Sequence, residues 1–239
     1  MEKVALITGG SRGIGACAVE KFSSLGYKVA FTYLNSDDKA LNLSKKFGAL
    51  AIKADMSVSS EVSQAVNAVL EKYGKIDILI NNVGISEFAL LTDITDDMWH
   101  KMINTNLSSA FFASRAVLSQ MINRKNGCII NISSMWGEVG ASCEVHYSTA
   151  KAGLIGFTKA LAKEVGPSGI RVNCVCPGDV DTDMNASLAP SDIEAIKNDT
   201  PLGRIATTED IVNTILFLAS DNASFITGQI IGVNGGYVI

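Results

Sequence analysis

The sequence predicts an α/β fold built on a doubly wound parallel sheet. Short runs rich in β-branched residues alternate with longer stretches of helical periodicity along all 239 residues. Most of these runs are apolar at consecutive positions, as strands must be when helices cover both faces of a sheet. Strict alternation of strand and helix favours parallel strands joined by helical crossovers. We therefore expect a single domain over residues 1–239.

The individual elements follow in order along the chain. Seven strands are predicted at Val4–Thr8, Lys28–Thr32, Ala49–Lys53, Ile76–Asn81, Cys128–Ile132, Ile170–Cys176 and Ile230–Val233. Six helices are predicted at 13–25, 37–47, 59–73, 97–123, 146–165 and 208–220. The least regular stretch, 178–205, is rich in Asp, Asn, Ser and Pro and follows a strand. We expect it to form a mobile flap over a functional site.

Composition excludes several classes of function. An apolar share of 47% supports a large core, and a net charge of −4 with mixed signs offers no broad basic surface for nucleic acid. No apolar run approaches the roughly 20 residues that span a bilayer, and the N-terminus lacks a signal-peptide pattern. The five cysteines have neither disulfide-framework nor metal-ligand spacing. We therefore expect a cytoplasmic protein without a metal or a membrane partner.

A glycine-rich segment, TGGSRGIG at residues 8–15, lies between the first strand and the first helix. Glycines at such a turn let the backbone approach a pyrophosphate, and the helix N-terminus then offers free N–H groups. The end of the second strand distinguishes NAD from NADP, because an acid there binds a ribose hydroxyl and repels a 2′-phosphate. This chain has no acid before Asp37, and Arg12 stands in the glycine segment. These features favour NADP(H).

The segment Tyr147-Ser148-Thr149-Ala150-Lys151 predicts a proton-transferring pair at the start of a helix. Residues four apart lie on one helix face, so the ammonium is expected to lower the pKa of the phenol from its ordinary value near 10. Ser133 and Ser134 follow the fifth strand, where α/β sheets bind ligands. Asn106 stands in the predicted 97–123 helix, where asparagine is unfavourable.

Taken together, these motifs resemble the short-chain dehydrogenase/reductase family over the full length of the chain. The matching pieces include TGGSRGIG, Asp55, the NNVG segment at 81–84, Asn106, Ser134, the YSTAK segment, Pro177-Gly178 and the closing VNGGY. Ser134 also stands 13 residues before Tyr147, as in that family. The resemblance implies a Rossmann-type sheet of order 3-2-1-4-5-6-7. It also implies a homotetramer or homodimer built on the helices near 97–123 and 146–165.

The resemblance also implies the roles of individual residues. Tyr147 is expected to protonate a carbonyl oxygen that Ser134 holds, while Lys151 lowers the phenol pKa and binds the nicotinamide ribose. Asn106 is expected to hold a water that links Lys151 to solvent. The predicted cofactor contacts are Gly9, Ser11, Arg12, Gly13, Ile14, Gly15, Leu34, Asn35, Asp55, Met56, Asn82, Val83, Gly84, Tyr147, Lys151, Pro177, Gly178, Val180 and Thr182.

Two ketone substrates are compatible with the sequence. The whole chain is most similar to the 3-oxoacyl-(acyl-carrier-protein) reductases, whose acidic carrier docks on basic residues beside the site; Arg124 and Lys125 are the candidates here. The stretch 134–146 instead resembles the reductases that convert a 5-aminopentanone group on elongation factor P to the alcohol. Glu144, with help from Glu138 or Asp179, is placed to pair with a substrate ammonium, although Glu144 also fits an acid favoured by the helix dipole.

A non-catalytic NADP-binding sensor or scaffold is the alternative from another class of function. Such a protein does not require Asn106, Ser134, Tyr147 and Lys151 together, so the intact set favours an enzyme. Substitution of Tyr147 by Phe distinguishes the two.

Overall fold

A computed structural model describes residues 2–183 and 189–239, and the strands in these ranges form one seven-stranded sheet. The strands are β1 (Val4–Ile7), β2 (Lys28–Tyr33), β3 (Leu50–Lys53), β4 (Ile78–Asn81), β5 (Gly127–Ile132), β6 (Ile170–Pro177) and β7 (Ile230–Val233). All neighbours pair in parallel, in the order β3-β2-β1-β4-β5-β6-β7. The predicted fold class is confirmed.

The helices in the described ranges connect these strands. They are α1 (Gly13–Ser24), α2 (Asp37–Phe47), α3 (Ser59–Tyr73), α4 (Asp96–Ile103), α5 (Ser109–Arg124), α6 (Trp136–Val139), α7 (Val145–Val165), α8 (Pro190–Asp199) and α9 (Thr208–Ala219). The predicted bounds agree with the structure to within two residues, except for the helix expected at 97–123. None of the described helices has the length and hydropathy that a membrane span requires.

The prediction of one continuous helix at 97–123 is wrong, because a π-helical turn at Asn104–Ser108 separates α4 from α5. The Asn106 side chain causes this widening. Its amide nitrogen donates to the carbonyl oxygen of Met102 at 3.1 Å, the acceptor that the backbone of residue 106 uses in a regular α-helix. Single π turns inside helices are frequent at functional sites.

The stretch 178–205 is more regular than expected, because it contains α8. Its two ends are tied together: Ala206 donates its N–H to the carbonyl oxygen of Asp179 at 3.0 Å, and Asp181 donates to that of Ala206 at 2.9 Å. Residues 184–188 of the predicted flap lie outside the described residues. The predicted mobility of this stretch stays a prediction.

Helices cover both faces of the sheet. Phe22 of α1 packs with Ile211 and Ile215 of α9 on one face, and α3, α5 and α7 bring apolar side chains such as Val117 and Leu161 to the other. Strands β1, β4 and β5 are consequently buried along their whole length. Ligands therefore have access mainly at the carboxyl edge of the sheet, where the strands end and the loops diverge.

Candidate active site

The four candidate catalytic residues converge at the carboxyl edge. Ser134 follows β5, Tyr147 and Lys151 lie in the first two turns of α7, and Asn106 lies in the π turn before α5. All four are less than one-tenth exposed. Polar side chains are buried this deeply only where specific contacts compensate for the lost water.

Tyr147 and Lys151 share one face of α7, as their spacing predicts. Lys151 Nζ lies 5.6 Å from the centre of the Tyr147 ring and donates to the carbonyl oxygen of Ile132 at 3.0 Å. Ser133 Oγ donates to the carbonyl oxygen of Lys151 at 2.8 Å. These contacts attach the beginning of α7 to the end of β5 and fix the distance between the phenol and Ser134.

The predicted lowering of the Tyr147 pKa is wrong for this structure. Burial raises that pKa to about 12, and the negative charges of Glu144 and Asp179 act in the same direction, whereas a hydrogen bond with Ser134 opposes them. Burial also lowers the pKa of Lys151 to about 8. The loss of water is the largest cause of the Tyr147 shift and outweighs the hydrogen bond with Ser134. A phenol that keeps its proton at neutral pH is suited to act as a general acid.

Asn106 binds the loop after β4 and lies close to Lys151 beside Gly84. Its side chain accepts from the N–H of Ile85 at 3.1 Å and donates to the carbonyl oxygen of Ile85 at 3.0 Å. A Cβ atom at Gly84 would lie 2.8 Å from Asn106 Oδ1 and 3.2 Å from Lys151 Nζ. Gly84 is therefore required for Asn106 and Lys151 to approach each other.

The glycine segment forms a cradle at the head of α1. Gly9 and Gly13 have φ angles of 67° and 53°, which glycine adopts without strain. A Cβ atom at Gly15 would collide with the carbonyl oxygen of Gly9. The first-turn N–H groups of α1, which begins at Gly13 and includes Ile14, lack partners within the helix. This geometry fits a pyrophosphate group.

Asn82 and Thr8 hold that cradle in place. The Asn82 side-chain nitrogen donates to the carbonyl oxygens of Thr8 and Gly9 at 3.0 and 3.1 Å. Thr8 Oγ1 accepts from the N–H groups of Asn82 and Val83 at 2.9 and 3.2 Å. Asn82 remains a predicted cofactor contact, and its side-chain nitrogen also holds the glycine loop in place. Sequence reasoning missed Thr8, although a hydroxyl at the end of a buried strand is a usable signal.

The remaining predicted cofactor contacts also lie along this edge. Leu34 and Asn35 are exposed after β2, and Asp55 and Met56 follow β3, with Asp55 Oδ1 accepting from Ser57. After β6, the Pro177 carbonyl oxygen accepts from the Met135 N–H at 2.8 Å, and Gly178 passes close to Asn234. Val180 is buried, and Thr182 reaches the glycine cradle at Gly13.

Two carboxyl groups face the phenol from outside α7. Glu144 is 4% exposed, accepts from Ser86 Oγ at 2.5 Å, and has its pKa raised by burial and by Asp179. Burial also raises the pKa of Asp179. Neither forms an ion pair within the ranges that the structure describes. Glu138, the third predicted acid, is exposed.

Arg124 and Lys125 are not beside this site, contrary to expectation. Both lie at the C-terminus of α5, which runs back to the opposite edge of the sheet. The Arg124 guanidinium pairs with Asp77 at 2.6 Å and donates to the carbonyl oxygen of Ile76 at 2.6 Å. Its charge is therefore engaged in holding α5 against the beginning of β4.

A network of buried amide side chains links β4 and β5 to the helices α5 and α7 beneath the site. This network was not predicted from the sequence. The side chain of Asn81 on β4 donates to Asn131 on β5 at 2.8 Å and to Ser114 on α5 at 3.1 Å. Asn131 donates in turn to Thr158 on α7 at 2.8 Å. An asparagine inside the otherwise apolar strand CIINI was the available signal, because buried amides require partners.

A glycine cradle at a helix N-terminus, with a buried tyrosine and lysine at the adjacent strand ends, defines a dinucleotide-dependent oxidoreductase. Comparison with known proteins specifies the family. A family model described as enoyl-(acyl carrier protein) reductase matches residues 9–238, and the chain belongs to the short-chain dehydrogenase/reductase family. It is thus an oxidoreductase that acts on CH–OH and C=O groups with a nicotinamide cofactor.

Individual relatives cover almost the whole chain. The 3-oxoacyl-(acyl-carrier-protein) reductase FabG of Chlamydia trachomatis is 43% identical over 99% of this chain and 97% of its own length. The acetoacetyl-CoA reductase of Shinella zoogloeoides is 42% identical, covering 99% and 98%. The oxidoreductase YmfI of Bacillus subtilis is 41% identical, covering 99% of both chains.

Proposed function

We propose that the chain, acting as one domain over residues 1–239, uses NADPH to reduce a 3-oxoacyl group on acyl carrier protein to the 3-hydroxyacyl group. The buried group of Ser134, Tyr147 and Lys151 beside the glycine cradle carries this proposal. The names of the FabG and acetoacetyl-CoA reductase relatives support the choice of a 3-oxoacyl substrate.

The residues at the carboxyl edge fit NADP(H). The cradle at Gly9, Gly13 and Gly15 holds the pyrophosphate, and exposed Arg12 binds the 2′-phosphate beside a strand end without an acid. The other proposed contacts are Ser11, Ile14, Leu34, Asn35, Asp55, Met56, Asn82, Val83, Gly84, Tyr147, Lys151, Pro177, Gly178, Val180 and Thr182. When bound, the nicotinamide supplies a hydride to the carbonyl carbon.

Residues of the chain supply the proton that is added to the ketone together with this hydride. Ser134 donates a hydrogen bond to the carbonyl oxygen, and Tyr147 transfers its phenolic proton to that oxygen as negative charge develops there. Lys151 in its charged form stabilises the phenolate that remains. Asn106 holds a water through which the proton is restored from solvent. The net change is addition of one hydride and one proton to the ketone.

We place the protein in the cytoplasm as a homotetramer or homodimer assembled through the helices near 97–123 and 146–165. The five cysteines are free, which suits a reducing compartment. Phe111 on α5 is 42% exposed and lies 6.4 Å from Phe157 on α7. These rings form an apolar contact surface across the two helices.

Turnover of carrier-bound substrates tests the substrate assignment. Acetoacetyl carrier protein, acetoacetyl-CoA and crotonyl carrier protein are compared at equal concentration by NADPH consumption. We expect rapid reduction of acetoacetyl carrier protein, slower reduction of the CoA ester, and none of the crotonyl double bond. Reduction of crotonyl carrier protein alone would contradict ketone chemistry.

A second candidate substrate is favoured by the two carboxyl groups near the phenol. Glu144 and Asp179 suit a ketone that carries an ammonium group, such as the 5-aminopentanone group on elongation factor P. Two methyl ketones of equal shape separate charge from size: 4-(trimethylammonio)butan-2-one and 5,5-dimethylhexan-2-one. Preference for the cationic ketone that disappears in Glu144→Gln would favour this candidate. Equal turnover of the two ketones would exclude it.

A further inference from the structure

Two cations from different elements converge on one carboxylate at the end of β2. Lys39, in the first turn of α2, forms an ion pair with Asp183 at 2.9 Å. The charge of Arg12 at the head of α1 also acts on Asp183, and together with Lys39 it lowers the pKa of that carboxyl. Asp183 directly follows Thr182, which lies against the glycine cradle.

The surroundings of Lys39 suit a second anion better than a second cation. An open cleft lined by Asn35, Ser36, Asp37, Asp38 and Lys39 lies at this strand end. Asp37, the first acid after β2, forms an ion pair with Lys53 at 2.9 Å. Asp38 is exposed. Asp37 is therefore neutralised by Lys53, whereas Lys39 and Arg12 share the single negative charge of Asp183.

We propose that Lys39 binds the 2′-phosphate of NADP(H) together with Arg12, and that Asp183 holds this position in the free protein. This inference rests on the proposed use of NADP(H). On binding, the phosphate replaces Asp183 as the partner of Lys39. NADH carries no phosphate at this position, so the Lys39–Asp183 pair persists when NADH binds.

The exchange is physically favourable. Lys39 and Asp183 are 60% and 57% exposed, and exposed ion pairs contribute little stability. A phosphate monoester offers more charge and more acceptor oxygens than a carboxylate, and hydrogen bonds to it are strong. Asp183 thus acts as an intramolecular competitor that the 2′-phosphate displaces.

Equilibrium binding tests the proposal without requiring turnover. Dissociation constants for NADPH and NADH are measured by calorimetry or nucleotide fluorescence for the wild type, Lys39→Ala, Asp183→Asn and the double variant. Lys45→Ala is the matched control, since Lys45 is an exposed lysine near the far end of the same helix.

Lys39→Ala is expected to weaken NADPH binding about tenfold or more, through loss of a charge-assisted hydrogen bond, and to leave NADH binding unchanged. Asp183→Asn is expected to tighten NADPH binding severalfold without affecting NADH. In the double variant the gain from Asp183→Asn disappears, because the two residues act through one pair. Lys45→Ala is expected to change neither constant.

The outcomes separate this inference from the cofactor assignment. Equal affinity of the wild type for NADPH and NADH, with no effect of Arg12→Ala, would refute the use of NADP(H) itself. A wild type that prefers NADPH, with a selective loss in Arg12→Ala but none in Lys39→Ala, would refute only the role of Lys39. Weaker NADPH binding in Asp183→Asn would show that Asp183 orients Lys39, and it would overturn the exchange.

Discussion

Tyr147 and Lys151 respond in opposite directions to the same burial. The phenol retains its proton more strongly, with a pKa raised to about 12, and the amine loses its proton more easily, with a pKa lowered to about 8. Both shifts favour the neutral form, as removal from water does for any ionisable group. For a reductase this is useful, because the phenol must arrive at the carbonyl with its proton attached.

Lys151 is therefore expected to reduce the stability of the fold. Its pKa is about 8 in the folded state against 10.5 when unperturbed, so its destabilising effect is complete below pH 8 and fades as pH rises to 10.5. The stability of Lys151→Met relative to the wild type should therefore be higher at pH 7 than at pH 10, because only the charged lysine carries the burial penalty. Denaturant titrations of both proteins at both pH values measure the difference. A difference in stability between the two proteins that is the same at pH 7 and pH 10 would contradict this account.

The face shared by Tyr147 and Lys151 was predictable from their spacing in the sequence, but the direction of the Tyr147 pKa shift was not. Helical periodicity is local and fixes which side chains lie on one face. The shift depends on Glu144, on Asp179 from the loop after β6, and on burial, and all three depend on tertiary packing. The spacing of the two residues in the sequence therefore identified the pair, but it did not determine the pKa shift of Tyr147.

At the scale of elements, the π turn shows how a single side chain alters a helix. The unfavourable position of Asn106 was visible in the sequence, and the structure supplies the reason. Its amide replaces a backbone N–H at the Met102 carbonyl oxygen and also binds Ile85, which belongs to a distant loop. The partner at Ile85 could not be inferred from local pattern, so the break in the predicted 97–123 helix was missed.

Helix ends offer a paired test of backbone strain. Lys125, at the end of α5, has a φ of 50°, and Gly48, at the end of α2, has a φ of 67° with no atom near a potential Cβ. Lys125→Gly should stabilise the protein and Gly48→Ala should destabilise it, each by about 1 kcal/mol. Thermal or chemical unfolding measures both. If both variants were more stable than the wild type, or both less stable, backbone strain at the positive φ angles would not explain the changes.

At the scale of the whole molecule, the two edges of the parallel sheet have different roles. The edge at the carboxyl ends of the strands carries the functional residues, and the opposite edge carries stabilising contacts. All candidate catalytic and cofactor residues lie at the carboxyl edge, whereas the cluster of Asp77, Lys75 and Arg124 lies at the other. The sheet order followed from the family resemblance. The position of Arg124 followed from neither motif nor composition, because it depends on where α5 ends relative to β4.

Arg124 is consequently expected to act on stability and not on the docking of a carrier protein. Arg124→Ala removes a charge-assisted contact with buried Asp77 and should lower the free energy of unfolding by about 2 kcal/mol. The KM for acetoacetyl carrier protein should stay close to that of the wild type. A raised KM for acetoacetyl carrier protein, with an unchanged free energy of unfolding, would instead indicate that Arg124 takes part in docking the carrier protein.

The most direct test of the whole account is the turnover of Tyr147→Phe, measured with its affinity for NADPH. The change removes only the phenolic oxygen, and the ring still fills its buried place. We predict a fall of at least about 10³-fold in turnover, equivalent to about 4 kcal/mol of transition-state stabilisation, with the dissociation constant for NADPH nearly unchanged. Turnover equal to that of the wild type would contradict the assignment of Tyr147 as the proton donor.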